Sequence, residues 1–151
     1  MDANKALNIV AAQCSKKEYC SADVYQKLLR WELNEKEAAT IMDFLVKNHF
    51  VDDERFAEAY VLDKARFNRW GRLKIARMLR VKQIPDAIVE RALALLPDEE
   101  TEETCLSLLR QKANGLKESD PYKRKAKLYR FALGRGFSHD TISRCLASLD
   151  Y

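Results

Sequence analysis

Apolar residues recur along the chain at the i, i+3, i+4, i+7 spacing of a helix that buries one stripe, in segments of roughly 10 to 17 residues separated by caps, Pro or Gly. Nine such segments are legible. The first carries Ala6, Leu7, Val10 and Cys14; the second, with Ser21 as its expected N-cap, carries Val24, Leu28 and Trp31; the third carries Ala38, Ile41 and Leu45. The acidic cluster Asp52-Asp53-Glu54 suits the positive end of a helix dipole and opens a fourth segment running through Phe56, Tyr60 and Val61 towards Phe67. Gly71 ends that connection. The fifth holds Leu73, Ile75, Met78 and Leu79, and Pro85 opens the sixth, with Ile88, Val89, Ala92 and Leu96 inside. After Pro97, a seventh segment begins in the acidic run from Asp98 to Glu103 and carries Cys105, Leu108 and Leu109, with Gly115 as its expected C-cap. Asp120-Pro121 starts the eighth. Gly134-Arg135-Gly136 separates it from a ninth, capped by Ser138 and apolar at Ile142, Cys145, Leu146 and Leu149.

These segments superpose on one another. A shift of 53 lays Gln83-Ile84-Pro85 on Gly136-Phe137-Ser138, Ile75 on Leu128, Met78 on Phe131 and Leu93 on Leu146. A shift of 51 lays Glu32-Leu33-Asn34 on Gln83-Ile84-Pro85, Val24 on Ile75 and Leu28 on Leu79. The pattern predicts an all-α chain of three tandem three-helix repeats, near residues 3–50, 51–97 and 98–150. Units this small bury little core alone and must share surface with their neighbours. Such arrays are elongated and curved, and offer a partner one long face instead of an enclosed pocket.

Composition sharpens the class. Only four Gly and three Pro occur in 151 residues, under half the roughly 12% of average usage, which disfavours turn-rich β-sandwiches and barrels. No stretch reaches the ~18 apolar residues of a membrane span. The opening Met1-Asp2-Ala3-Asn4-Lys5 does not read as a secretory signal, so a cytoplasmic location without membrane contact is expected. Four cysteines, Cys14, Cys20, Cys105 and Cys145, form no C-x-x-C pair and read as reduced, buried thiols.

Charge is informative through its placement. The 27 Lys and Arg against 23 Asp and Glu leave a formal net charge of only +4. Yet from Lys64 to Ile84 there are eight cations and no acid, and Lys123, Arg124, Lys125, Lys127, Arg130 and Arg135 repeat the run later. On a helical wheel Lys74 and Arg77 point away from Ile75, with Arg80 beside them, and Lys123, Lys127 and Arg130 point away from Leu128. Under the 53-residue shift Lys74 falls on Lys127 and Arg77 on Arg130. Arg72, Lys74, Arg77, Arg80, Lys123, Lys127 and Arg130 therefore form a candidate face for an acidic partner, either a nucleic-acid backbone or a protein assembly that carries one. The plain alternative is a solvated helix surface.

Catalytic readings find no support. His49 and His139 lie at helix boundaries without a Cys or carboxylate at ligand or triad spacing, and surface or capping roles suit them. No phosphate-cradling glycine motif occurs. Asp52-Asp53-Glu54 sits within one helix turn and cannot converge on an ion, so it reads as a cap. Neither enzyme activity, metal nor cofactor is expected.

Val51-Asp52-Asp53-Glu54-Arg55-Phe56-Ala57, followed by Arg66, Gly71, Ile75, Leu79 and Lys82-Gln83-Ile84, closely resembles the central signature of the RecX regulatory proteins. Arg135-Gly136-Phe137-Ser138 with Ile142 resembles that family's C-terminal repeat. Gln83 departs from it, standing where the family usually has Gly. The resemblance implies a bacterial cytoplasmic protein of tandem three-helix repeats that binds the RecA recombinase filament, in its helical groove, and inhibits or tunes its ATPase and strand exchange in DNA repair. A monomer with weak non-specific DNA contact is expected. Two rivals remain open from the residues alone: a sequence-independent DNA-binding module acting without the recombinase, and a plain helical adaptor.

Overall fold

The structure, a computed structural model, describes residues 1–149, and among them there are nine α-helices and no strand. They are α1 (Ala3–Lys16), α2 (Ser21–Arg30), α3 (Glu35–Lys47), α4 (Asp53–Arg66), α5 (Arg72–Val81), α6 (Asp86–Leu93), α7 (Asp98–Gly115), α8 (Pro121–Gly134) and α9 (His139–Ala147). None is long and apolar enough to cross a membrane. The fold is the expected all-α helical repeat; the expected end of the third repeat, Asp150, lies outside the described residues.

The repeat is visible in the backbone itself. Three helices, α2, α5 and α8, end in the same way: the residues at 32, 83 and 136 take positive φ, at 65°, 63° and 98°. In each case the next residue turns inward and is buried: Leu33, Ile84 and Phe137. The N–H of Leu33 donates to the Leu28 carbonyl (3.4 Å), that of Ile84 to Leu79 (3.1 Å) and that of Phe137 to Ala132 (3.3 Å), while Glu32, Gln83 and Gly136 donate to Leu29, Arg80 and Leu133. This is a Schellman ending, which satisfies carbonyls that the helix terminus leaves open, and α3 also uses it, at His49 (φ 60°) with the Phe50 N–H donating to Leu45 (2.9 Å), outside the register of these three. The three positions fall at the 51- and 53-residue shifts read from the side chains.

The chain packs as two compact units, one of residues 1–60 with 79–92, the other of residues 61–78 with the described residues from Leu93 onward. In the first unit Ala6, Val10, Cys14, Val24, Leu28, Ala38, Ile41 and Leu45 interleave α1, α2 and α3 around one core, with Leu33 and Val51 at its margins. The helical residues among these lie at predicted stripe positions. In the second unit Cys105, Leu108 and Leu109 of α7 meet Leu128 and Ala132 of α8 and Ile142, Cys145 and Leu146 of α9, with Phe137 filling the centre. All four cysteines are buried and unpaired. Burial pushes the Cys105 thiol far above its ordinary value, followed by repulsion from Cys145 beside it, so neither sulfur ionises readily.

Several caps differ from the sequence reading. Ser21 is the first residue of α2, not its cap; Asp53 accepts from the Ser21 N–H (2.8 Å) and hydroxyl (2.6 Å), so a carboxylate 32 residues away closes that helix end. Asp52 does the local work for α4, accepting from the N–H groups of Glu54 (3.0 Å) and Arg55 (3.1 Å). Pro85 precedes α6 and its carbonyl accepts from Ile88 and Val89. Gly115 is the last residue of α7 and Leu116 its C-cap, and Arg124 covers the exit from that helix by donating to the carbonyls of Ala113 (3.1 Å) and Leu116 (3.0 Å). Ser138 and Asp120 cap α9 and α8 as expected.

Candidate partner-binding face

Two glycines fix the start of α5 within the second unit. The Gly71 N–H donates to the Arg135 carbonyl (2.8 Å) and the Leu73 N–H to the Gly136 carbonyl (3.0 Å). A Cβ on Gly71 would stand 2.4 Å from the Gly136 carbonyl carbon, and one on Gly136 would stand 2.4 Å from Lys74 Cβ. Only two residues without side chains allow the first turn of α5 to lie on the α8–α9 junction this closely. Lys74 is thereby seated beside that junction. Its ammonium rests 4.5 Å from the centre of the Trp70 ring, with Lys64 at 5.1 Å from the same ring, a cation–π arrangement that orients charge without neutralising it.

The seven predicted cations do not behave alike. Arg72 turns inward: Nη1 pairs with Asp98 at 2.7 Å and Nη2 donates to the Leu96 carbonyl, which fastens the start of α7. Arg80 falls in the first unit and pairs with Asp86 (2.9 Å) and Glu90 (3.6 Å) of α6. Lys127 reaches Glu118 at 3.3 Å, and its hydrogen bond holds that carboxyl below the usual range. Arg77, Lys123 and Arg130 are exposed and have no acidic partner among the described residues. These three, with the Trp70-backed Lys74, make up what remains of the predicted face. Lys123 stands apart from Lys74, at the opposite end of α8 from the glycine junction, roughly 16 Å along the helix at 1.5 Å per residue.

Several other cations of the two basic runs are structural. Arg66 grips Glu100 through Nε (2.9 Å) and Nη2 (3.4 Å), Arg69 donates to Ser107 (2.8 Å), and Arg135 donates to the Asn68 carbonyl (2.7 Å). Lys82, in the first unit, pairs with Asp23 at 2.7 Å. Burial raises the Asp23 carboxyl, but the Lys82 hydrogen bond and charge outweigh it and leave Asp23 below its usual range, while Lys82 is held above its own.

Sequence reasoning missed the aromatic side chains beside these cations. Phe67, expected to continue an apolar stripe, follows the end of α4 and is 83% exposed; Tyr122 on α8 is 88% exposed. Tyr122, Lys125, Ala126, Tyr129 and Arg130 share one side of α8 and line a shallow depression of about 320 Å³. Tyr129 is fixed there by a 2.5 Å hydrogen bond to His139 Nδ1, so His139 serves as a surface bracket. The spacing 122, 125, 126, 129, 130 was available in the sequence and would have marked this side.

Comparison with known proteins bears on what such a face meets. Residues 52–93 match the family model for the second three-helix domain of RecX, and residues 98–146 that for the third. The chain is 30% identical over 145 residues to the regulatory protein RecX of Chlorobium phaeobacteroides, covering 96% of this chain and 93% of that one. It is 35% identical over 131 residues to RecX of Clostridium acetobutylicum, covering 84% of this chain but only 60% of the relative, so it spans about three-fifths of that longer protein. The crystal structure of RecX from Lactobacillus salivarius superposes with a TM-score of 0.87 at 26% identity, covering 98% of this chain and 96% of that one.

Proposed function

The chain belongs to the RecX family of regulatory proteins, and from that premise we propose that it binds the RecA recombinase nucleoprotein filament and inhibits its ATPase and strand-exchange activity during DNA repair and recombination. The role is regulatory and needs no cofactor, and it is exercised in the cytoplasm by a monomer seated in the filament groove. The division into repeats at 3–50, 51–97 and 98–150 belongs to the proposal and is supported by the recurring Schellman endings.

The observation that carries the reading is the exposure of Arg77, Lys123 and Arg130 without acidic partners among the described residues, while Arg72, Arg80 and Lys127 are internally paired. A one-signed set of this kind attracts a polyanionic assembly and speeds its encounter. A second reading, direct DNA binding without the recombinase, draws on Tyr122 and Tyr129 beside Lys125 and Arg130, since aromatics interleaved with cations hold single strands.

One co-sedimentation series separates the two. The chain is mixed with recombinase filaments and, separately, with the same DNA naked, while recombinase ATPase is followed in parallel. Pelleting with filaments, suppression of ATPase and weak recovery on naked DNA are expected. Equal recovery on naked DNA with unchanged ATPase would replace the filament reading with the DNA module, whose log affinity falls by about 0.9 per neutralised phosphate for each log unit of salt.

A further inference from the structure

Phe67 stands 83% exposed on the α4–α5 connection, and that connection is held at every residue. The Phe67 N–H donates to Asp63 (2.8 Å), the Trp70 N–H to Lys64 (3.0 Å) and the Gly71 N–H to Arg135 (2.8 Å). The Asn68 carbonyl accepts from Arg135 Nη2 at 2.7 Å, and Arg69, at φ 58°, donates through Nη2 to Ser107 at 2.8 Å. A phenylalanine displayed on a pinned loop has little backbone freedom to lose on association. Burying its ring removes on the order of 150–250 Å² from water.

The surroundings state what would bury it. Lys64 and Lys74 flank the adjacent Trp70 ring; along the sequence no acid occurs from residue 64 to residue 84, Asp63 lies one turn before Phe67, and Glu100 is taken up by Arg66. We infer that Phe67 is the apolar anchor of the partner interface, inserting into a pocket on an acidic protein surface whose carboxylates face Lys74. The inference rests on the filament reading above and names the contact made with the protein component of that filament. Central aromatic anchors surrounded by charged rims dominate the energetics of such interfaces. The anchor is distinct from the cations of α5 and α8, because it supplies desolvated apolar area where they supply long-range attraction.

Leucine separates this from stacking on a nucleotide base, since it fills an apolar pocket but presents no π-face. The wild type, Phe67→Ala and Phe67→Leu are titrated against recombinase filaments and against naked oligo(dT), with circular dichroism to verify folding. An exposed side chain leaves folding intact. Phe67→Ala should weaken filament binding at least tenfold and Phe67→Leu no more than about threefold, with oligo(dT) affinity equal in all three. Loss of oligo(dT) binding in both variants would overturn the proposal in favour of base stacking. Wild-type filament affinity in Phe67→Ala would overturn it and leave the filament reading standing. Failure of the wild type to bind filaments would overturn both.

Discussion

Gln83 occupies the left-handed position of the α5 ending at φ 63°, where the equivalent residue at the α8 ending is Gly136. A side chain in that conformation costs roughly 1–2 kcal/mol through contact of Cβ with the following carbonyl. Gly removes the cost but loses about 0.4–1 kcal/mol more chain entropy on folding. Gln83 is exposed, and its side chain makes no hydrogen bond among the described residues, so nothing else changes on replacement. The balance for Gln83→Gly is a gain of about 1 kcal/mol, equivalent to about 3 °C in Tm for a chain of this size. Urea unfolding followed at 222 nm measures it, with an unchanged m-value expected. Glu32→Gly, at φ 65° in the α2 ending, should act with the same sign. Gly136→Ala should act oppositely and more strongly, because its Cβ would also strike Lys74 Cβ at 2.4 Å. A neutral or destabilising Gln83→Gly would refute the assignment of a strained C-cap and weaken the threefold correspondence built on it.

Gly71→Ala should destabilise by at least about 3 kcal/mol, since the new methyl meets backbone atoms of Gly136 and Phe137 that cannot give way; a melting curve within 2 °C of wild type would contradict the close approach. The Asp23–Lys82 pair carries a pH signature. Asp23 is depressed in the folded chain, so its contribution is present above the unfolded carboxylate pKa near ~3.9 and disappears as pH falls through the lower folded value. Lys82 is raised, so its share persists below the unfolded value near ~10.4 and disappears as pH climbs through the higher folded one. Asp23→Asn should therefore cost under about 1 kcal/mol at pH 7, given partial exposure, and nothing extra at pH 2, read as the difference between two denaturation series. Native Cys105 and Cys145, buried and with raised pKa, should react with a thiol reagent only as fast as the second unit opens, so rapid labelling of the folded chain would disprove their burial.

What the sequence made legible is what repeats locally. The apolar stripes fall on the buried residues of both cores except at Leu73, which is exposed on α5, and the 51- and 53-residue shifts fall on left-handed turns that no side-chain pattern states outright. Caps were legible where they are local, as at Asp120 and Ser138, and illegible where the fold supplies them, as when Asp53 closes α2 from 32 residues away. Charge suffered the same limit. Nothing near Arg72 in the sequence announces Asp98, and nothing near Arg66 announces Glu100, because a pairing set by tertiary packing leaves no trace in the helical wheel. Seven predicted cations therefore include three that are internally paired. Phe67 was misread for the complementary reason: hydrophobicity argues for burial, and only the end of α4 before it turns the ring outward.

The central claim is that unpaired cations on α5 and α8 engage the recombinase filament, and one affinity measurement addresses it. Filament binding of the Arg77→Glu/Arg130→Glu variant is compared with wild type at one fixed salt concentration. Both side chains are exposed and unpaired among the described residues, so folding is preserved, and like charges facing an acidic surface should lower affinity at least tenfold, about 1.4 kcal/mol. A folded double variant that binds filaments with wild-type affinity would contradict the account.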